Sequence, residues 1–125
     1  MFSHSFCVKA SDLDEQGHVN NVTYLRWIQD VAVAHWLSVA GEDVLSRYTW
    51  VVTRHEIDYK REAFEGDEIT VETCVGERTR VTWDRHTKIT SGEKLLAEAR
   101  TVWCLVERER GRPAKITDDI LLLLS

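Results

Sequence analysis

The segment over residues 21–40 constrains the fold of this chain most, because its apolar residues fall on nearly every side of a helix. A helix with so narrow a polar stripe is mostly buried. Asn20 or Asn21 can cap its N-terminus, and Gly41 can end it. The rest of the chain must therefore supply a surface that covers this helix nearly all round. The stripe consists of Thr23, Arg26, Gln29 and Asp30.

Most of the remaining sequence alternates apolar and polar residues, which is typical of β-strands. The short links GERT and SGEK are turn-like and indicate antiparallel pairing of consecutive strands. A sheet of about five strands can cover the helix only by curling around it. We therefore predict one α+β domain over residues 1–125, with a curled antiparallel sheet wrapped around one long central helix. Strands are predicted over residues 2–9, 49–61, 68–76, 81–89 and 95–108.

The outer strands of such a sheet have backbone N–H and C=O groups without partners. Pairing two subunits edge to edge satisfies these groups. We therefore expect the chain to form a dimer.

Charge and cysteine content exclude several classes of function. A net charge of −5 argues against a general binder of nucleic acid or of anionic membranes. The three cysteines lie far apart without a Cys-x-x-Cys pair, which favours free thiols in a reducing compartment, so we expect a cytoplasmic protein. Residues 1–11 contain no apolar core of a signal peptide. No segment reaches the roughly 18 apolar residues of a membrane span.

A cluster of acid, amide and imidazole side chains precedes the long helix, in the stretch DLDEQGHVNN over residues 12–21. The N-terminus of a helix has N–H groups without internal partners, and its dipole favours negative charge. A carboxylate beside such N–H groups can activate a nucleophile while the N–H groups stabilise an oxyanion. This stretch is therefore the candidate site of the chain.

The stretch from Asp14 to Leu25 reads Asp-x-x-Gly-His-Val-Asn-Asn-x-x-Tyr-Leu. It resembles the motif of the hotdog-fold acyl thioesterases, the group around 4-hydroxybenzoyl-CoA thioesterase. Weaker similarities occur in the same order as in these enzymes, so the resemblance covers nearly the whole chain. They lie at residues 66–73, 95–106 and 111–116. It implies the hotdog fold, hydrolysis of an acyl-CoA or acyl-ACP thioester without a cofactor, and a homodimer or a homotetramer.

A second, narrower resemblance is to the plant-type acyl-ACP thioesterases. It rests on DLDEQGHVNN and on DYKREA over residues 58–63. Glu62 agrees with these enzymes, whereas many acyl-CoA members have proline there. The chain departs from them at Gln16, where they have asparagine, and at Ala63, where they have cysteine. It departs from many acyl-CoA members at Gln29, where a glutamate is common.

The resemblance implies roles for two residues, and two others remain open. Asp14 is the general base or the nucleophile, and the backbone N–H near Asn21 polarises the thioester carbonyl. His18 either donates to that carbonyl, orients Asp14, or is a structural histidine. Glu62 is either a second carboxylate of the site or a solvated acid. Asp12 is expected to be a solvated loop acid.

Further residues are candidates for binding the substrate. The sequence has no glycine-rich phosphate loop, so basic surface side chains are expected to hold a CoA nucleotide. No metal site is predicted, because His18 and His35 do not have the spacing of a zinc motif. The substrate-binding candidates are Gly17, Asn20, Tyr24, Arg54, Lys60 and Arg61.

Two other functions remain open on the same fold. A non-catalytic domain that binds acyl-CoA has no need of Asp14 beside the helix start. A dehydratase or hydratase places a histidine and an acid on separate elements, and the sequence has no stretch typical of those enzymes.

Overall fold

The computed structural model describes residues 1–125 and consists of one six-stranded sheet and three helices. None of the helices has the length and apolar composition needed to cross a bilayer. A 3-10 turn at Ala10–Asp12 follows the first strand. The elements are β1 (Phe2–Cys7), α1 (Asn21–Val39), α2 (Glu42–Arg47), β2 (Tyr48–Tyr59), β3 (Glu68–Arg78), β4 (Thr82–Ser91), β5 (Lys94–Glu107), β6 (Arg112–Pro113) and α3 (Asp118–Leu124).

The sheet is antiparallel throughout, in the order β1-β3-β4-β5-β2, and β6 pairs with the end of β5. β1 and β2 are therefore the two edges of the sheet, although they are consecutive strands in the sequence, with α1 between them. α1 packs on the face of the sheet between these edges. The predicted architecture, a curled antiparallel sheet around one central helix, is confirmed.

The predicted ends of the long helix and of the five main strands lie within two residues of the observed ones. The sequence did not predict α2, α3 or β6. Gly41 does not end α1 as expected: the helix ends at Val39, and the N–H of Ala40 donates to the carbonyl of Trp36 at 2.9 Å. Gly41 instead precedes α2 with a φ of −80°, so this position does not need the left-handed conformation for which glycine is favoured.

The long helix is covered on one side rather than nearly all round. Thr23, predicted to lie in the polar stripe, is 7% exposed, and its hydroxyl donates to the Asp12 carbonyl at 3.5 Å. In contrast, Val22, Val33 and Leu37 are exposed. The single chain thus leaves an apolar stripe of α1 uncovered.

The core beneath α1 is divided into two apolar clusters. β4 shows the division along one face: Ile89 belongs to the first cluster and Trp83 to the second, and between them lie Thr87 and Arg85. All four side chains are buried. A polar layer therefore crosses the interior between the two clusters.

The polar layer is held by hydrogen bonds between side chains. Arg85 donates from Nη1 to His35 Nδ1 at 2.9 Å and to Thr73 Oγ1 at 3.3 Å. His55 contacts Thr101 Oγ1 through Nδ1 at 3.0 Å. His55 Nε2 is 3.2 Å from Gln29 Nε2 on α1. An amide nitrogen can only donate, so this contact requires a neutral His55 with its proton on Nδ1.

Burial lowers the pKa of His35, and the neighbouring Arg85 guanidinium lowers it further. Burial also lowers the pKa of His55. The unfolded chain therefore takes up protons at these positions at a higher pH than the folded chain does. The two neutral histidines therefore contribute fully to the free energy of unfolding above the ordinary pKa of about 6.5. This contribution is lost as the pH falls below that value.

We expect the melting temperature to fall as pH is lowered from 8 to 5, because protonated His35 can no longer accept from Arg85. His35→Gln should reduce this slope, since the glutamine oxygen still accepts a hydrogen bond but does not titrate. The exposed His86→Gln is the matched control and should reduce the slope less. Equal slopes in wild type and His35→Gln would contradict the assignment.

Candidate active site

The loop before α1 is a tight turn that sets Asp14 beside His18. The N–H of Asp14 donates to the His18 carbonyl at 2.8 Å, and the N–H of Gly17 donates to the Asp14 carbonyl at 3.1 Å. Gly17 has a φ of +86°, a conformation that side chains with a Cβ disfavour. A bridge between Leu13 and Val19 closes the loop. Gly17 therefore shapes the turn, and Asp14 and His18 project from the same side.

The carboxylate of Asp14 has two different environments. Oδ1 accepts from the backbone N–H of Gln16 at 2.9 Å and of His18 at 3.4 Å. Oδ2 is 3.3 Å from His18 Nδ1. Oδ1 therefore stabilises the turn, whereas Oδ2 faces His18 in a side chain that is 31% exposed.

Asn20, not Asn21, caps α1. Its side chain accepts from the N–H of Val22 at 2.9 Å, and its carbonyl accepts from the N–H of Thr23 at 2.9 Å. The N–H of Asn21, the first residue of the helix, makes no hydrogen bond within the chain. This free donor lies at the positive end of a 19-residue helix and is suited to bind a developing negative charge.

A distant segment closes the other side of this loop. The N–H of Val19 donates to the Ala63 carbonyl at 2.8 Å, and His18 forms a bridge with Phe64. These contacts bring Glu62 Oε1 to 3.6 Å from His18 Nε2. The imidazole thus lies between two carboxylates, of Asp14 and Glu62. A neutral imidazole has one N–H and can donate to only one of them.

Asp12 is buried rather than solvated, contrary to the expectation from its loop position. Its side chain accepts from the Lys9 N–H at 3.0 Å and from Arg26 at 2.9 Å, and the residue is 6% exposed. The backbone carbonyl of Asp12 also accepts from the Asn20 N–H at 3.1 Å. Asp12 therefore fixes the loop to the first turns of α1.

Two tyrosines form the wall of the site next to the helix start. Tyr24 donates to the Arg61 carbonyl at 3.3 Å, and Tyr59 donates to the Asn21 carbonyl at 3.3 Å. Their rings are 5.7 Å apart. Burial raises the pKa of Tyr24, so its phenol remains protonated near neutral pH. The sequence did not single out Tyr59, whose only signal was its place in the DYKREA stretch.

These residues surround one open cleft of about 470 Å³. Arg54 is not among them, because it lies on β2 and pairs with Glu56 at 2.8 Å. No group of three His, Cys, Asp or Glu side chains has the arrangement of a metal site. The predicted residues that line the cleft are Asp14, His18, Asn20, Asn21, Tyr24, Lys60, Arg61 and Glu62, and Val19 and Tyr59 complete it.

The arrangement has the two kinds of group that acyl transfer to water requires. The Asp14 carboxylate is suited to act as a base or nucleophile, and the Asn21 N–H is suited to bind an oxyanion. The exposed Lys60 and Arg61 at the rim are suited to phosphate groups.

Known proteins match the chain over nearly its whole length. Residues 8–124 match the model of the thioesterase-like superfamily. A "predicted thioesterase" from Bacillus stearothermophilus is 25% identical, with a TM-score of 0.89 over 98% of this chain and 92% of that one. A thioesterase from Thermus thermophilus, complexed with coenzyme A and Zn, is also 25% identical, with a TM-score of 0.87 over 98% of this chain and 90% of that one.

A 1,4-dihydroxy-2-naphthoyl-CoA thioesterase from Synechocystis shares the fold at 18% identity, with a TM-score of 0.85 over 98% of this chain and 94% of that one. No curated protein matches the chain. The family match and the shared architecture confirm the hotdog fold predicted from the motif. This chain belongs to the thioesterase-like superfamily.

Proposed function

We propose that this protein hydrolyses an acyl thioester of coenzyme A or of acyl carrier protein to the free acid and the thiol. The observation that carries the proposal is the shared cleft of the Asp14 carboxylate and the unpartnered Asn21 N–H. Membership of the thioesterase-like superfamily supports thioester hydrolysis in general. The relative from Thermus thermophilus, which binds coenzyme A, supports an acyl-CoA substrate.

The thioester carbonyl oxygen accepts a hydrogen bond from the Asn21 N–H. The positive end of the α1 dipole adds to this interaction, and both strengthen as the oxygen gains negative charge in the transition state. The carbonyl carbon becomes more electrophilic as a result. The N–H is fixed by the helix, so little reorganisation is needed during the reaction.

Asp14 Oδ2 acts on the polarised carbonyl by one of two routes. As a base, it takes a proton from a water molecule whose oxygen attacks the carbonyl carbon. As a nucleophile, it attacks that carbon itself and forms a mixed anhydride, which water then hydrolyses. In both routes the C–S bond breaks, the sulfur leaves as a thiolate and takes up a proton, and the acid is released.

His18 is a positioning residue in this scheme. Its Nδ1, 3.3 Å from Asp14 Oδ2, holds the carboxylate toward the cleft. Glu62 Oε1 lies 3.6 Å from the other ring nitrogen, Nε2. The two acids therefore flank one imidazole, one at each ring nitrogen.

Different walls of the cleft are suited to the phosphate end and to the acyl end of the substrate. Lys60 and Arg61 at the rim suit the phosphates of CoA or the single phosphate of a carrier-protein arm. Tyr24, 2% exposed, presents an apolar ring toward the acyl end. The cleft adjoins the edge strand β2, because Tyr59, the last residue of that strand, lines it.

The molecule has a surface suited to pairing with a second copy. β2 is an open edge of the sheet, and Val51 on this strand is 47% exposed. The uncovered stripe of α1, which includes Val33 at 45% and Leu37 at 57%, is also apolar. Pairing of two β2 edges would satisfy the free backbone groups and cover apolar surface. We infer a homodimer with the cleft close to the subunit boundary.

Asp14→Asn should lower kcat by about 10²-fold or more, the scale of losing a general base. The fold should persist, because the asparagine oxygen can still accept from the Gln16 N–H. Release of free thiol from a panel of acyl-CoAs measures the rate. Glu15→Gln, in the same turn, is the matched control and should retain activity. Near-wild-type turnover by folded Asp14→Asn would remove Asp14 from the mechanism.

Glu62→Gln should lower kcat by about tenfold, because the neutral amide no longer places a negative charge 3.6 Å from His18 Nε2. Release of free thiol from an acyl-CoA measures kcat. Glu65→Gln, an exposed acid three residues away, should leave kcat unchanged. An unchanged kcat in Glu62→Gln would leave Asp14 as the sole catalytic acid.

The wild-type protein should be a dimer by light scattering at micromolar concentration. Val51→Lys should shift it toward monomer, because it places a charge at the centre of the inferred interface. Leu122→Lys, at an exposed leucine on α3, is the control and should remain dimeric. A wild-type monomer with full activity would contradict the inferred interface.

A further inference from the structure

A second cavity lies under the C-terminal half of α1 and shares no residue with the catalytic cleft. Val33 and Leu37, which belong to the stripe inferred to face a second subunit, line its rim. Its volume is about 150 Å³, and ten of its 14 lining residues are hydrophobic. Ala32, at its wall, lies eleven residues after Asn21, or about 16 Å along the helix. The cavity is thus separate from the Asn21 N–H. Four of the five tryptophans of the chain line it: Trp36, Trp50, Trp83 and Trp103.

Arg85 places a positive charge in the wall of this apolar cavity. The residue is 5% exposed. Both of its hydrogen bonds, to His35 and Thr73, start from Nη1. Nε and Nη2 therefore have no partner in the protein, and no carboxylate forms an ion pair with Arg85. A guanidinium has five N–H donors, so most of its donor capacity remains unused.

The nearest acid in sequence does not compensate this charge. Asp84 also lines the cavity, but its carboxylate accepts from Arg100 at 2.8 Å and from the Glu77 N–H at 2.7 Å. Burial lowers the pKa of Arg85 to about 10, which still leaves it protonated at neutral pH. The guanidinium is therefore a cation without an anionic partner in the protein, and its unpaired Nε and Nη2 remain open to an anion that enters the cavity.

Trp103 adds a second unsatisfied donor on the same wall. Its indole N–H is buried and has no hydrogen-bond partner. Buried donors in folded proteins are nearly always paired. The Trp103 indole thus lacks the acceptor that its burial requires, and the Arg85 guanidinium in the same cavity has no anionic partner.

We propose that this cavity binds a small aromatic carboxylic acid, whose carboxylate accepts from Nε and Nη2 of Arg85 and whose ring lies among the tryptophans. Arg85 can present two parallel N–H groups, which match the two oxygens of a carboxylate. The indole rings favour a flat aromatic partner through stacked or edge-to-face contacts. An apolar cavity of about 150 Å³ matches a ligand the size of benzene.

Benzoate is the probe that tests this proposal, measured by isothermal titration and by tryptophan fluorescence on the full-length protein. Benzyl alcohol has a similar ring without the charge, and acetate has the charge without the ring. Benzoate should bind at one site per chain, at least about tenfold more tightly than either, since hydrogen bonds between charged groups are stronger than neutral ones. Equal affinity for benzoate and benzyl alcohol would overturn the role of Arg85.

Two arginine variants locate the bound benzoate. Arg85→Met should weaken binding by at least about tenfold, whereas Arg61→Met, which removes the arginine of the catalytic cleft, should leave it unchanged. Loss of binding in Arg61→Met but not in Arg85→Met would place benzoate in the catalytic cleft and overturn the proposal. No saturable binding to the wild type at millimolar benzoate would also overturn it.

A cavity-filling variant covers the case in which Arg85→Met does not fold. Val75 lines the cavity and is partly buried, so Val75→Phe should occupy the space while it keeps Arg85. Benzoate binding should then be lost, with the circular dichroism spectrum retained. Undiminished binding to folded Val75→Phe would show that the ligand does not occupy this cavity.

Discussion

The packing of α1 on the face of the sheet is the interaction on which the rest of the structure depends. Seven of its residues are buried, and this burial fixes where the helix begins. The loop that enters it is held by Asp12 to Arg26 and by Val19 to Ala63. The Asn21 N–H can therefore act as a fixed donor only because the remainder of the helix is immobilised by the core. The geometry of the candidate site is thus a consequence of core packing rather than of the loop alone.

The sequence predicted the elements whose apolar pattern follows from this packing. Strands that pack one face on a helix must alternate, and the alternation located all five main strands within two residues. α3 was missed because the run over residues 120–124 has no helical period. Its burial depends on a distant partner: Ile120 and Leu124 pack in the cluster that contains Trp83. β6 was missed because two residues carry no pattern, and its pairing with β5 depends on the turn before it.

The parts of the candidate site that lie close together in sequence were predictable, whereas the parts that come from distant segments were less so. Asp14, His18 and Asn21 lie within eight residues of one another, so the motif and helix-cap reasoning were sufficient to place them together. Glu62 comes to His18 only through the pairing of residues 63 and 64 with the loop, which no local pattern encodes. Arg54 showed the same type of charge as Arg61, but the direction of β2 takes it away from the cleft. Charge alone did not distinguish the two.

The sequence of β4 contained a sign of the polar layer beneath α1 that its alternation of apolar and polar residues does not reveal. In β4 the apolar face contains Trp83 and Ile89, and Arg85 falls on that face, not on the polar one. A charged residue at an interior position needs a partner, and a neutral side chain of similar shape would be less costly there if the layer were only structural. The layer also divides the interior into two parts along one helix. The part at the N-terminus of α1 ends in an open cleft with an unpaired N–H, and the other ends in a cavity with an unpaired guanidinium. Each end presents unused N–H donors to a space that a ligand can enter, but the cleft also holds the carboxylates of Asp14 and Glu62, whereas the cavity is lined mainly by apolar residues.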